Sequence, residues 1–203
     1  TDGGDDNVST GLGNDTINLG AGNDSVVAGQ GDDLVKIAVD NLDTSDVTIN
    51  GSSGDDTLEF TTAGTAVNGD FDHVLNFENL VLVNGANNIT FADDFDNVTG
   101  GTGDDTITQS GNDAVEVNSG SGADIVDTGD GHDTVDGGTG NDSIKTDGGN
   151  DIVTAGLGDD TILAGDGANN VSGGGGADLT PSRKHAAALR GSRAEPAVIS
   201  AGG

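Results

Sequence analysis

A nine-residue spacing governs what this chain can fold into. From Gly11 it reads GLGNDTINL, GAGNDSVVA and GQGDDLVKI, and from Gly120 it reads GSGADIVDT, GDGHDTVDG, GTGNDSIKT, DGGNDIVTA, GLGDDTILA and GDGANNVSG without a break. The shared form is G-x-G-x-D-x-U-x-x, with U aliphatic. Such a unit can bury its apolar residue only against neighbouring units, so the repeat outranks local propensity. The G-x-G-x-D half bends sharply, because glycine takes positive φ without steric cost. The x-U-x half is a strand so short that only its central residue points inward. One unit is a strand plus a turn, and two units close a coil of eighteen residues. Consecutive turns then lie on opposite edges of a solenoid, and alternate turns stack on one edge about 4.8 Å apart.

The U position extends further than the full motif. Val8, Ile17, Val26 and Val35 share one frame, and Val126, Val135, Ile144, Val153, Ile162 and Val171 share another. Between them Ile49, Leu58 and Val67, then Leu80, Ile89, Val98 and Ile107, keep the same spacing, with Val115 following. The expected organisation is full nonapeptide repeats over 1–37, a degenerate stretch over 38–100, full repeats again over 101–180, and an unrelated or disordered tail over 181–203. The middle reads as a continuous solenoid with few Gly-Asp turns, its U−2 positions carrying Val47, Thr65, Glu78 and Asn87. A small separate β module is the alternative, because the frame slips before Ile49 and before Leu80.

Composition alone describes a disordered chain: 37 glycines, 2% aromatic residues and a net charge of −30. All but four of the 36 acidic residues are aspartate. Short carboxylates beside glycine suit turns and oxygen-ligated metal sites, and calcium takes six to eight such oxygens at roughly 2.3–2.6 Å. The candidate ligands are the aspartates two residues before U: Asp6, Asp15, Asp24 and Asp33, then Asp56, Asp105 and Asp113, then Asp124, Asp133, Asp142, Asp151, Asp160 and Asp178, with Asn169 breaking the series. Main-chain carbonyls of Gly11, Gly13, Gly20, Gly22, Gly29, Gly31, Gly120, Gly122, Gly129, Gly131, Gly138, Gly140, Gly156 and Gly158 would complete the shells. Bare carboxylates stacked about 5 Å apart repel by roughly 1 kcal/mol in water and about 3 kcal/mol at an effective dielectric near 20. Turn-forming alone would not require such a row, since asparagine serves equally well.

In these residues the chain resembles the RTX, or hemolysin-type, calcium-binding repeat family over about 1–37 and 100–180. The resemblance implies an all-β fold, a parallel β-roll with several Ca2+ ions between same-edge turns. It also implies a secreted or cell-surface protein, type I secretion machinery as a partner, and folding on extracellular calcium. The stretch NFENLVLVNGANNITFADDFDNVTGGTGDDTI is similar to the linking sequence common in such proteins. The chain opens in mid-pattern at Thr1-Asp2-Gly3-Gly4, and is expected to be part of a longer protein.

Other classes fit poorly. The acidic balance disfavours nucleic acid and anionic lipid, which both need basic surface. Four of the six basic residues, Arg183, Lys184, Arg190 and Arg193, fall in the tail, while Lys36 and Lys145 read as solvated outward positions. There is no cysteine, no apolar run of transmembrane length and no G-x-S-x-G motif. His73, His132 and His185 are scattered, without a zinc-binding pattern. Sequons such as Asn14-Asp15-Thr16 arise from the turn and strand preferences of the repeat. Thr16, Thr57, Thr106, Thr134 and Thr161 form no unbroken ladder of the kind an ice-binding face needs. The expectation is therefore a non-catalytic calcium module. Its parent would be an extracellular enzyme, such as a protease or lipase, or an adhesin or surface-layer protein using the repeats as a spacer.

Overall fold

The computed structural model describes residues 3–42, 48–92 and 94–180, together with the backbone of Val198–Ile199. Val47 and the basic tail residues lie outside the described residues. The chain forms an all-β parallel solenoid of about nine turns, a β-roll. One face is a continuous parallel ladder of Thr16–Asn18, Leu34–Ile37, Thr57–Phe60, Asn79–Val81, Asn97–Thr99, Glu116–Asn118, Thr134–Asp136, Ile152–Thr154 and Asn170–Ser172. The other face divides into two ladders. Asn7–Leu12, Ser25–Gln30, Thr48–Ser53 and Val74–Leu75 make the first. Thr65–Ala66, Asn88–Phe91, Thr106–Gln109, Ile125–Asp127, Ser143–Lys145 and Thr161–Leu163 make the second. No helix among the described residues is long and apolar enough to cross a membrane.

Register follows from the repeat. Ile144 pairs with Val126 and Ile162, and Val153 with Val135 and Val171, each eighteen residues away. The U residues form a single file between the faces, and Val26, Val35, Ile49, Leu58, Leu80 and Ile89 are fully buried. In the middle the coils lengthen. Val35 pairs with Leu58 and Ala66 with Ile89, twenty-three residues apart in both cases. The added residues include two 3-10 turns, Val39–Asn41 and Asn68–Phe71. Val39 and Phe71 from these turns enter the core.

Two U positions differ from the sequence reading. Val67 is 52% exposed, and its neighbour Ala66, at 1%, is the inward residue. The 3-10 turn that begins at Asn68 ends the strand early, with the Val67 N–H donated to Asp70 Oδ2 at 2.8 Å. The second difference concerns Val115. Val115 and Val117 are two apart, so both point inward and both are buried. Pairing with Val98 and Val135 places Val117 at the strand centre. The inserted residue lies in the turn before it, which makes this coil nineteen residues long.

Charge pairs sit on the outer faces. Lys36 and Lys145, read as solvated, are instead paired: Lys36 Nζ meets Glu59 at 2.8 Å, and Lys145 Nζ bridges Asp127 and Asp147. Cross-strand pairs of this kind favour one register over its neighbours.

With so narrow a core, each U residue counts. Ile144→Ala is expected to cost about 2–5 kcal/mol in saturating calcium. The adjacent outward Ser143→Ala should stay within about 0.5 kcal/mol. Denaturant titration of both variants checks this.

Candidate metal centres

The turns stack so closely that only glycine fits at their tightest points. Gly140 has φ 134°, and a Cβ there would overlap the Gly122 carbonyl of the previous coil. The close approach brings the aspartates of successive coils into one column. On one edge Asp105, Asp124, Asp142, Asp160 and Asp178 follow one another, and on the other Asp133, Asp151 and Asn169 do so. Each side chain accepts the N–H of its counterpart one coil earlier. Asp142 Oδ1 takes the Asp124 N–H at 2.9 Å, and Asp160 Oδ1 takes that of Asp142 at 2.8 Å. Asp151 takes that of Asp133 at 3.2 Å, and Asn169 Oδ1 that of Asp151 at 2.9 Å. The same link joins Asp24 to Asp6, Asp33 to Asp15, Asp56 to Asp33, Asp105 to Asn87, Asp124 to Asp105 and Asp178 to Asp160.

One carboxylate oxygen is thus consumed by the fold. The second is buried without any hydrogen-bond partner in Asp33, Asp56, Asp105, Asp124, Asp142 and Asp160, and Asp15, the first of its column, also buries an unpartnered Oδ2. Leaving a buried acceptor unpaired costs about 1–3 kcal/mol, and more when it is charged. Asp133 and Asp151 differ, their Oδ2 atoms accepting the hydroxyls of Thr128 and Thr146 at 2.6 and 2.8 Å.

The residues fit calcium. Beside Gly137 a Cβ would lie 2.9 Å from Asp142 Oδ2 and 2.5 Å from the Ala155 carbonyl oxygen, so carboxylate and main-chain oxygens share that space. Asn87 maps more of the oxygen set. Its Nδ2 donates to the carbonyls of Val83 and Gly85 at 3.0 and 2.8 Å and to Asp105 Oδ1 at 2.8 Å. Val83 and Gly85 hold the first and third positions of that turn, the places taken by Gly138 and Gly140 before Asp142. Among the described residues no three His, Cys, Asp or Glu side chains converge. Any ion must therefore be held by carboxylates together with carbonyls, the hard-oxygen set calcium prefers.

Of the predicted glycines, Gly11, Gly13, Gly22, Gly29, Gly31, Gly120, Gly122, Gly129, Gly138, Gly140, Gly156 and Gly158 take positive φ, whereas Gly20 and Gly131 do not. Three first-position carbonyls already accept one N–H from the next coil: Gly120 from Thr139, Gly138 from Leu157 and Gly156 from Gly175, at 2.8–2.9 Å. A carbonyl oxygen has two lone pairs, so one remains for an ion. The Gly20 carbonyl accepts the Asn41 amide at 3.0 Å.

Asp113 is a correction. Its side chain is exposed, and Val115 occupies the inner position, with its N–H donated to Asp133 Oδ1 at 3.1 Å. The inserted residue that moved the strand centre to Val117 moved this position too. Sequence reasoning also missed a second, outer ladder at the fourth residue of the repeat. Asn14 Oδ1 accepts the Asp32 N–H, Asn141 Oδ1 that of Asp159 and Asn150 Oδ1 that of Ala168, at 2.8–3.1 Å. His132 belongs to it, its Nδ1 accepting the Asn150 N–H at 2.8 Å. The signal was visible as Asn or Asp recurring one place before most inner aspartates, with His132 before Asp133.

Inward aspartates in coils related by a parallel ladder, with orphaned oxygens facing main-chain carbonyls, define a calcium-binding β-roll. The family model of the RTX calcium-binding nonapeptide repeat matches four stretches, residues 1–35, 43–60, 109–144 and 145–179. These cover more than half of the chain, which belongs to that family and binds several Ca2+ ions. No curated protein and no solved structure matches it.

Burial pushes the Asp56, Asp105, Asp124, Asp133 and Asp151 carboxyls above their ordinary value. Asp142 is pushed from 3.8 to about 6 by burial, with Asp124 and Asp160 adding repulsion against the opposing Asp124 N–H. A carboxyl raised in the folded state binds more protons there than in the unfolded chain, so stability falls as pH rises between the two values. Without calcium the roll should therefore hold more β structure at pH 5 than at pH 7, as circular dichroism in chelator would show. Protons and calcium both stabilise the folded roll through these carboxyls, so the calcium midpoint of folding should move to lower concentration as pH drops through about 6, although each ion then displaces a proton.

Proposed function

We propose that this chain is a folding and stability module of a larger secreted bacterial protein, ordered by calcium once outside the cell. The column of buried, unpartnered Oδ2 atoms at Asp105, Asp124, Asp142 and Asp160 carries the reading. Those coils lack a counter-charge until a cation enters, and a net charge of −30 adds long-range repulsion to the ordered state. A cell interior poor in calcium would keep the chain unfolded and fit for export, with type I secretion machinery as the partner that membership of the family suggests. The reading includes no reaction of its own. His132 and the threonines at Thr128 and Thr146 serve the turns. Catalysis or adhesion would belong to other parts of the parent protein.

Circular dichroism in chelator, then in millimolar calcium, should show coil converting to β structure. Sites of the extracellular class bind calcium in the range of about 10⁻⁴–10⁻³ M. A fully folded chain in chelator would sink the module reading, and a midpoint below about 1 μM would sink the extracellular one. Magnesium at matched concentration should fold the chain poorly, because it keeps its waters and demands octahedral geometry.

The column also predicts which aspartates act together. Asp142→Asn should weaken two sites and couple to Asp124 and Asp160 by about 0.5–3 kcal/mol in double-mutant cycles on calcium-dependent folding. Coupling to Asp133, on the opposite edge, should be near zero. Asp113→Asn should leave calcium-dependent folding unchanged.

A further inference from the structure

All five phenylalanines of the chain, Phe60, Phe71, Phe77, Phe91 and Phe95, lie in or directly after the lengthened coils and are buried. Phe60 and Phe71 stack at 6.4 Å between centroids, and Phe95 meets Phe71 and Phe91 edge-on at 5.4 and 5.8 Å. Each such ring removes roughly 150–250 Å² from water. The coils after residue 120 have no aromatic residue, and their file is Val126, Val135, Ile144, Val153, Ile162 and Val171.

A second, independent observation concerns charge. At Asn87 the side-chain amide reaches two turn carbonyls and Asp105 Oδ1, so a neutral N–H donor supplies what a cation supplies elsewhere. One coil earlier on that edge the position is Gly64, whose carbonyl accepts the Asn88 N–H at 2.8 Å. No carboxylate enters the column between Gly64 and Asn87. On the opposite edge Glu78 Oε2 accepts the Asp56 N–H at 2.8 Å, and the Asn79 amide reaches Asp55 Oδ1 and the Asp56 carbonyl. Unpartnered Oδ2 atoms remain at Asp56, in the first junction of this stretch near the Asn76 carbonyl, and at Asp105, at its far end.

We infer that the coils from Thr57 to Gln109 fold without calcium and present preformed strand edges on which the calcium-dependent coils assemble in both directions. The inference rests on the calcium-driven folding proposed above and assigns it an origin within the chain. Apolar burial meets the ordering entropy of these coils, and Asn87 removes the one junction on their second face that would need an ion. The flanking coils, with thin cores and unneutralised columns, add to the template once calcium arrives. Template growth of this kind is how a stack of nearest-neighbour units propagates.

Hydrogen exchange followed by mass spectrometry on the full chain, in chelator and in millimolar calcium, tests it. In chelator Thr57–Phe60, Asn79–Val81, Asn88–Phe91, Asn97–Thr99 and Thr106–Gln109 should exchange at least about tenfold more slowly than unfolded chain. Ile125–Asp127, Thr134–Asp136, Ser143–Lys145, Ile152–Thr154 and Thr161–Leu163 should exchange as unfolded chain until calcium is added. Asn87→Asp should abolish the chelator protection of Asn88–Phe91 and Thr106–Gln109, and calcium should restore it. A middle that exchanges as fast as its flanks in chelator overturns the inference, as does undiminished protection in Asn87→Asp. Protection of the entire chain in chelator overturns instead the calcium-driven folding beneath it.

Discussion

The structure turns on one arrangement: aspartate carboxylates stacked coil upon coil, one oxygen given to the backbone of the neighbouring coil and the other buried in the turn. The first oxygen ties the coils together through a charge-assisted hydrogen bond, among the stronger contacts a turn can make. The second is unpaired and buried in six of these residues, including Asp142 and Asp160. Both follow from the same short side chain, so tight stacking is inseparable from an accumulation of buried negative charge. An ion that binds the folded coils and not the unfolded chain converts that strain into stability through linkage.

The same logic explains why so glycine-rich a chain can order at all. Glycine loses more freedom on folding than any other residue, and one Val or Ile per strand is a small return. Along 120–180 bound calcium would supply the remainder, on the folding role proposed above. Through the lengthened coils it comes from rings and aliphatic side chains, with Phe71 delivered by a 3-10 turn that the repeat does not contain. Where the Gly-Asp turns fade, the core thickens. The two sources of stability alternate along one solenoid whose first face runs unbroken from Thr16 to Ser172.

Much of this was legible in the sequence, because the determinants are local. The U file at Ile49, Leu58, Leu80, Ile89, Val98 and Ile107 is buried as its spacing implied, even where the turns had lost their motif. Alternation of edges followed from two units per coil, and Asp142 does stack between Asp124 and Asp160. Reading failed where a coil changed length. Val115 and Val117 are equally apolar and equally inward, so only contact with Val98 and Val135 distinguishes them. Asp113 lost its assigned place for the same reason. The choice of Ala66 over Val67 depended on a turn that closes against Asp70.

The sequence by itself thus determined the unit, its period, the inward residue of nearly every strand and the kind of ion the turns suit. Those are properties of nine consecutive residues, and glycine, aspartate and a branched aliphatic express them wherever the unit recurs. Tertiary structure alone decided the register across irregular coils, the division of the second face into two ladders, and the meeting of the Phe60, Phe71, Phe91 and Phe95 rings. It also decided that the Asn87 amide would meet a carboxylate eighteen residues later in the chain. Each depends on which residues of one coil lie over which residues of the next, and stacking sets that after every insertion between them has been accommodated.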